Sequence, residues 1–328
     1  MLPLLDDILN IHYIDYFPRG NKVTHHLLKI ESVNNLGLEE IKKFIQDGFA
    51  YVRLPNDMHV KDELHALKNH ALKFYNMPYA FKNSESTRLN PKKYKGYINR
   101  REDDKPIYHE QVFFRPDDPI RPFESQLNHL IEVDSVFWGR IAKPILHHIF
   151  QFVLKEAGFD KCTISELYNE ATEKRFSSIS FPYYPSPELQ DKASHKYKYG
   201  LNPHKDQGII TVLWVNKPGL QVWLDDSLCN WIDVHPDENY VVVNIGNALR
   251  LILNDECKSS LHRVLFPTEE RLSIAMFYDL SFDYNLRNLI TNELCFDGSY
   301  ERYLEDQFTK VYVEPVPEKD LIEERSRT

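Results

Sequence analysis

Three side chains of types that bind metal ions stand at two places in the sequence. His204 and Asp206 are separated by a single residue, and His262 follows 58 residues after the first histidine. If residues 204–206 form a strand, the imidazole and the carboxylate point to the same face, because strand side chains alternate with a period of two. Two histidines and one carboxylate on one face of an octahedron leave the opposite positions open, as non-haem Fe(II) requires to bind a substrate and oxygen together. The spacing therefore predicts a metal site.

Arg271 and Ser273 form a second polar pair, which begins nine residues after His262. On a strand these two side chains share one face, and a guanidinium beside a hydroxyl is well matched to a carboxylate. If His262 uses the same face, the pair places a carboxylate-binding cation behind the metal.

The stretch 176–280 is expected to provide the framework for these residues. Short apolar runs alternate there with turn-forming Pro, Gly, Asn and Asp residues, and no helical pattern separates them. The clearest predicted strands are residues 209–215, 219–224, 240–245 and 271–278. We therefore expect a mainly β fold with additional helices, and the pattern favours an antiparallel sandwich or jelly roll over a parallel α/β sheet.

Helical periodicity dominates the residues before this framework. The predicted helices run from residue 38 to the Asp47-Gly48 pair, over 61–75, and over 126–157 with a kink expected at Pro144. A strand over 49–54 follows the first helix, and residues after about 282 are predicted to be helical before a charged tail over 318–328. The predicted regions are an N-terminal helical region with one or two strands (1–160), a β core (161–285) and a C-terminal helical extension with the tail (286–328).

Composition and charge argue against several classes of protein. The 328 residues are 42% hydrophobic, which argues against a disordered chain. The formal net charge of -9 argues against a surface that binds nucleic acid or an anionic membrane. The N-terminus lacks the features of a secretory signal, and no apolar stretch approaches the roughly 20 residues of a membrane span. The four cysteines are far apart and are expected to be reduced thiols. We expect a cytoplasmic monomer whose partner is a small molecule.

Six segments resemble, in order and spacing, the isopenicillin-N-synthase-like branch of the Fe(II)/2-oxoglutarate-dependent oxygenases. They are Tyr183-Tyr184-Pro185 and residues 204–211, 219–222, 243–246, 260–264 and 271–275. Upstream, Asp47-Gly48-Phe49, residues 74–82 and Gly96-Tyr97 resemble the helical N-terminal region of the same family. The likeness covers roughly residues 40 to 285.

The resemblance implies a fold, a set of cofactors and roles for individual residues. The fold would be a double-stranded β-helix supported by helices, and the ligands of Fe(II) would be His204, Asp206 and His262. Arg271 and Ser273 would bind the far carboxylate of 2-oxoglutarate. The residues implied in lesser roles are Tyr184 as a third contact to 2-oxoglutarate, and Tyr97 and Phe277 in the substrate pocket. Such an enzyme uses O2 and 2-oxoglutarate to hydroxylate, desaturate or cyclise a small organic substrate, in secondary or amino-acid metabolism for example.

Pro182 departs from the pattern of the family. Many members carry Asn two residues before the tyrosine that contacts 2-oxoglutarate, whereas Phe181-Pro182-Tyr183 is more like isopenicillin N synthase itself, which does not use 2-oxoglutarate. Lesser departures are Asn247 and Asp255, where Asp and Gly are frequent. An oxidase of the isopenicillin-N-synthase type and a non-catalytic binding protein on the same scaffold are therefore the alternatives. The sequence determines neither the primary substrate nor the outcome of the reaction.

Overall fold

The computed structural model describes residues 27–56, 59–90, 95–100, 109–186, 199–225 and 230–312. The strands are β1 (Leu28–Ile30), β2 (Phe49–Arg53), β3 (Gly96–Arg100), β4 (His109–Phe114), β5 (Phe176–Tyr184), β6 (Tyr199–His204), β7 (Ile210–Val215), β8 (Leu220–Asp225), β9 (Asn230–Val234), β10 (Tyr240–Ile245), β11 (His262–Leu265), β12 (Arg271–Asp279), β13 (Asn285–Arg287) and β14 (Leu294–Ser299). The α-helices are α1 (Leu38–Asp47), α2 (Val60–Tyr75), α3 (Tyr79–Lys82), α4 (Leu127–Val136), α5 (Lys143–Glu156), α6 (Lys161–Thr172), α7 (Asn247–Ile252) and α8 (Tyr300–Tyr312). The charged tail over 318–328 lies outside the described residues.

Two sheets carry the architecture, which is mainly β as predicted. The large sheet has the strand order β1-β2-β10-β7-β12-β5-β4-β3, and the small one has the order β6-β11-β8-β9. All of these pairs are antiparallel except β1 with β2. The four strands that were clearest in the sequence correspond to β7, β8, β10 and β12, within one residue at each end. Consecutive strands from β5 to β12 switch between the sheets, except for the β8–β9 hairpin, so residues distant in sequence meet between the sheets.

The two faces of the large sheet have different neighbours. Residues such as Ile179, Val212 and Ile274 belong to one continuous apolar core together with residues of α1, α2, α4 and α5. The alternate residues of the same strands point the other way, towards the small sheet, and line a cavity. Since strand side chains alternate with a period of two, one face is free to carry polar groups while the other buries the apolar core.

The N-terminal region contributes more strands than the sequence predicted. Instead of one or two strands, the described part of residues 1–160 contains four, β1 to β4, and all of them belong to the large sheet. The short segments of β3 and β4 form strands because β5 provides a partner, with Phe113 opposite Ser180. Such pairing is non-local, and local patterning therefore could not predict it.

The long helix predicted over 126–157 is divided into three parts. A π-helical turn, Phe137–Ala142, separates α4 from α5, and Pro144 lies in the first turn of α5. Proline has no backbone N–H and its ring clashes with the preceding turn, so the interruption falls where the sequence predicted a kink.

The C-terminal part of the described chain begins with a hairpin rather than a helix. The strands β13 and β14 pair over residues 285–299, and only then does α8 begin at Tyr300. Within the described ranges, none of the helices is both long and apolar enough to cross a bilayer.

Candidate metal centre and its cavity

His204, Asp206 and His262 come together at one end of the small sheet. His204 and His262 are directly paired across β6 and β11, and their ring centroids lie 4.3 Å apart. Oδ1 of Asp206 lies 3.9 Å from Nε2 of His204 and 3.6 Å from Nε2 of His262. One ligand atom from each residue lies within 4.8 Å of the others. These three atoms can therefore coordinate one ion, and we call the three residues the triad.

Backbone carbonyl groups orient both imidazoles. Nδ1 of His204 donates a hydrogen bond to the carbonyl oxygen of Asn202 at 2.9 Å, and Nδ1 of His262 donates to that of Ser260 at 3.2 Å. A proton held on Nδ1 leaves Nε2 with its lone pair, which is the form that binds a metal.

The carboxylate of Asp206 is held by two donors from the large sheet. Thr211 Oγ1 donates to Oδ2 at 2.6 Å and the Asn244 amide donates to the same oxygen at 2.8 Å, so Oδ1 faces the histidines. Burial raises the pKa of Asp206, but the positive charge that His262 and His204 carry when protonated, together with these two hydrogen bonds, outweighs it and holds the pKa below its ordinary value. The residue is thus kept as an ionised ligand.

Asp206 reaches the triad by a different route from the one the sequence suggested. The strand β6 ends at His204, and Asp206 lies in the loop that follows it. Its backbone carbonyl accepts a hydrogen bond from Asn247 N at 2.7 Å. The alternation of strand side chains is therefore not what aligns the pair; the loop is fixed by its contacts with Asn247, Thr211 and Asn244.

Arg271 and Ser273 lie on the facing wall of the same cavity. Both side chains are buried, at 1% and 2% exposure, on the inward face of β12. Arg271 has no carboxylate within ion-pairing distance among the described residues, and its Nε has no hydrogen-bond acceptor there. Burial lowers the pKa of Arg271, and its guanidinium carbon lies 5.3 Å from the ring centroid of Tyr184, which pairs with it across β5. A buried cation without a counter-charge fits an anionic ligand.

Pro182 interrupts the ladder beside this pair. The strands β5 and β12 pair at Leu272 with Tyr183 and again at Ala275 with Ser180, but not between. Proline has no N–H to donate, so a gap in an interior strand pair is expected there. Pro182 and Ser273 both line the cavity at this level.

The cavity between the sheets has a volume of about 240 Å³. Phe277 and Tyr184 both line it; the contacts of Phe277 with a substrate and of Tyr184 with 2-oxoglutarate stay predictions. Tyr97 lies outside it, contrary to the expectation. Its hydroxyl instead donates to Glu110, which also forms a buried ion pair with Lys82. The register of β3 places Tyr97 against this cluster on the helical side of the sheet.

Several residues of the site were not identified from the sequence as functional. Thr211 and Asn244 hold the ligand Asp206, and each is an isolated polar residue in an otherwise apolar strand, which is a usable signal. Asp279 ends the inward face of β12, while α8 contributes Leu304 and Gln307 to the cavity. That these residues belong to the cavity can be recognised only from the packing of the strands and helices.

A family model described as the 2OG-Fe(II) oxygenase superfamily matches residues 171–280 of this chain. That range contains the whole triad together with Arg271 and Ser273. Among curated proteins, DMR6-LIKE OXYGENASE 1 of Arabidopsis thaliana is 37% identical over 146 residues, which are 43% of this chain and 38% of that protein. The 2-oxoglutarate-dependent dioxygenase gloE of Glarea lozoyensis is 25% identical over 278 residues, which are 80% of this chain and 82% of that protein.

Coverage of the first curated relatives is partial. The chain spans 38% of DMR6-LIKE OXYGENASE 1 and 52% of the 1-aminocyclopropane-1-carboxylate oxidase 3 of Arabidopsis thaliana.

Among solved structures, a full-length Neurospora crassa protein in complex with alpha-KG superposes on this chain with a TM-score of 0.68 and 20% sequence identity. That match covers 88% of this chain and 98% of the Neurospora protein, so the two proteins share a fold.

Proposed function

The chain belongs to the 2OG-Fe(II) oxygenase superfamily, and from this premise we propose that it is an oxidoreductase that binds Fe(II) at the triad. It uses O2 and 2-oxoglutarate to oxidise a small organic substrate, on a core that is a double-stranded β-helix, or jelly roll. The observation that carries this proposal is the placement of the triad and the buried Arg271 on opposite walls of one cavity. Two nitrogens and one oxygen from three side chains suit Fe(II) and leave coordination positions open.

Iron and 2-oxoglutarate, when bound, supply the oxidation: 2-oxoglutarate and O2 yield succinate and carbon dioxide, and the second oxygen atom is available to oxidise a substrate C–H bond. The residues of the chain bind and orient. Arg271 and Ser273 would hold the distal carboxylate of 2-oxoglutarate, with the Tyr184 ring beside the guanidinium. Thr211 and Asn244 fix the ligand Asp206, and apolar side chains such as Leu213 and Val264 line part of the cavity around it.

Formation of the chelate between iron and 2-oxoglutarate tests the cosubstrate directly. Anaerobic titration of the protein with Fe(II) and 2-oxoglutarate should produce the weak visible charge-transfer band of the chelate. The variant Arg271→Met should bind iron but require much more 2-oxoglutarate to form the band. Iron binding by the unaltered protein without any band would remove the cosubstrate assignment.

An oxidase that draws all four electrons from its substrate is the second candidate. The specific observation that favours it is Pro182, which lines the cavity beside Ser273 where many relatives carry asparagine. In that case the Arg271 and Ser273 pair would hold a carboxylate of the substrate. Oxygen uptake coupled to an equal release of succinate supports the dioxygenase, whereas substrate-dependent uptake without succinate supports the oxidase.

A binding protein on the same scaffold is the third candidate and predicts no iron chemistry. The variant His204→Ala removes one ligand and should abolish both Fe(II) binding and substrate-dependent oxygen uptake. As a control, His235→Ala replaces an exposed histidine that lies outside the cavity. Oxygen uptake that persists unchanged in His204→Ala would exclude the triad as the reaction centre. The choice among hydroxylation, desaturation and cyclisation then requires product analysis.

A further inference from the structure

Asp279 lies at the opposite end of the inward face of β12 from Arg271. The two side chains are eight residues apart, so they share a face, and both line the cavity. Asp279 is 6% exposed and Arg271 is 1% exposed. One strand thus presents a buried cation at one end of the cavity and a buried acid at the other.

Among the described residues, the carboxylate of Asp279 has one hydrogen-bond donor and no counter-charge. Its Oδ1 accepts a hydrogen bond from the Tyr300 hydroxyl at 2.6 Å. Within the part of the chain that the structure describes, no lysine, arginine or histidine nitrogen lies within 4 Å of it, and Oδ2 has no donor. A buried carboxylate is costly unless it is paired and hydrogen-bonded, so this group fits a cationic donor supplied by a ligand.

The surroundings of Asp279 define the rest of that ligand. Phe176 is paired with Asp279 across β5, and Phe277 lies two residues earlier on the same face. Leu304 of α8 lines the cavity as well. Aromatic and aliphatic side chains beside an acidic group are complementary to an apolar body that carries a positive nitrogen.

The position of Asp279 also places such a ligand close to the triad. A side-chain Cβ at Gly208 would lie 2.6 Å from Oδ1 of Asp279, so the carboxylate packs against the backbone two residues after the ligand Asp206. On the neighbouring strand, Thr211 donates to Asp206 and pairs with Phe277. The acid and the triad are therefore neighbours in one cavity, whereas Arg271 lies further along it.

We propose that the primary substrate is a small amine, whose protonated nitrogen is bound by Asp279 and whose apolar body lies against Phe176 and Phe277. This inference rests on the proposed function, since it assigns the substrate class of the same cavity. Where Asp279 is ionised, a carboxylate substrate would be repelled at this end, and a neutral molecule would leave the carboxylate without a counter-charge.

Calorimetric titration with three matched probes tests the inference. Phenethylamine, 2-phenylethanol and phenylacetate share a ring and differ in the polar group. They are titrated separately into the full chain at pH 8, above the pKa of about 7 to which burial raises Asp279, once metal-free and once loaded with Fe(II) and 2-oxoglutarate under nitrogen. We expect phenethylamine to bind at least about tenfold more tightly than the alcohol in both forms, since a hydrogen-bonded charge pair contributes more than a neutral one. Phenylacetate should bind most weakly to the form loaded with Fe(II) and 2-oxoglutarate, in which 2-oxoglutarate occupies Arg271.

Two variants separate a binding role from a structural one. Asp279→Asn keeps the shape of the side chain and an acceptor for Tyr300, and it should lose the preference for the amine. Asp283→Asn makes the same chemical change four residues later, at an exposed position, and should keep the preference.

The inference is overturned if phenethylamine does not bind, if it binds no more tightly than the alcohol to the unaltered protein, or if Asp279→Asn retains the preference. Comparisons on the unaltered protein do not depend on the folding of any variant. The metal-free titration also isolates this inference from the proposed function, because loss of the iron and 2-oxoglutarate band would leave the amine preference measurable.

Discussion

The side-chain amide of Asn244 lies 2.8 Å from Oδ2 of Asp206, and it connects the large sheet to the loop that carries a metal ligand. Thr211, on the strand next to Asn244, donates to the same oxygen. These two contacts decide which oxygen of Asp206 faces the histidines. They therefore link the packing of the apolar sheet to the geometry of the triad.

Loss of the Asn244 amide should weaken iron binding without removing a ligand. In Asn244→Ala we expect the affinity for Fe(II) to fall by roughly 10-fold to 100-fold, which is typical when a group that orients a metal ligand is removed. Anaerobic Fe(II) titration followed by calorimetry measures the change. Asn76→Ala, at an exposed amide that ends α2, serves as the control and should bind iron as the unaltered protein does. Equal affinities in both variants would show that Asn244 does not orient Asp206.

Replacement of Arg271 should separate stability from cosubstrate binding. Because Arg271 is a buried cation without a carboxylate partner among the described residues, Arg271→Met should raise the melting temperature of the ligand-free protein. A ligand present at about 100 times its Kd stabilises a native protein by about 2.7 kcal/mol, so 2-oxoglutarate should shift the melting temperature of the iron-loaded unaltered protein but not of the variant. Differential scanning calorimetry measures both effects.

Arg115→Met, at an exposed arginine paired with Asp117, serves as the control and should change neither the melting temperature of the ligand-free protein nor the shift caused by 2-oxoglutarate appreciably. A retained shift in Arg271→Met would contradict the role of this residue.

Asp279 should make the stability of the metal-free protein dependent on pH. Burial raises its pKa to about 7, the hydrogen bond from Tyr300 opposes that rise, and the nearby charge of Asp206 adds to it. An aspartate in the unfolded chain has a pKa near 3.8. As the pH rises from about 4 to about 7, the unfolded state loses this proton while the native state keeps it, so the contribution of Asp279 to stability falls and then levels off.

The variant Asp279→Asn has no proton to lose at this position. Relative to the unaltered protein, its free energy of unfolding should therefore increase by about 2 to 3 kcal/mol between pH 5 and pH 8. Urea denaturation in the presence of a chelator, at both pH values, measures this difference. Asp283→Asn should show no comparable increase, because that carboxylate is exposed. A constant difference for Asp279→Asn across the range would mean that the residue is ionised throughout.

Gly246 and Gly139 should respond in opposite ways to the same substitution. A Cβ at Gly246 would lie 2.0 Å from the carbonyl oxygen of Gly208, so Gly246→Ala must displace the loop that carries Asp206. We expect it to destabilise the protein by more than about 2 kcal/mol and to abolish iron binding, as measured by thermal unfolding and metal titration. At Gly139 the added Cβ would meet no heavy atom of the described residues within 4 Å beyond its own turn of helix, and alanine there should be neutral or slightly stabilising. Iron binding by Gly246→Ala at the unaltered affinity would show that the loop can adjust.

Much of the core was predictable because its signals are local. The turn residues around β7, β8, β10 and β12 determine where those strands begin and end, and the interruption near Pro144 follows from the missing N–H of proline. The strands β3 and β4 were not predicted, because their stability depends on pairing with β5, more than 60 residues away in the sequence. The hairpin of β13 and β14 is local, but it was missed because its residues carry no strong alternation of their own.

For the site, the sequence by itself determined the chemical types: two imidazoles, a carboxylate, and an arginine with a serine on one strand face. Only the tertiary structure decided how they are used. It places Asp206 in a loop rather than on the strand, and it selects Thr211 and Asn244 as the groups that orient it. It also excludes Tyr97 from the cavity and brings Asp279 into it. The physical reason is that a residue type fixes which bonds a side chain can form, whereas burial and the identity of its neighbours arise from sheets that pair residues far apart in the chain.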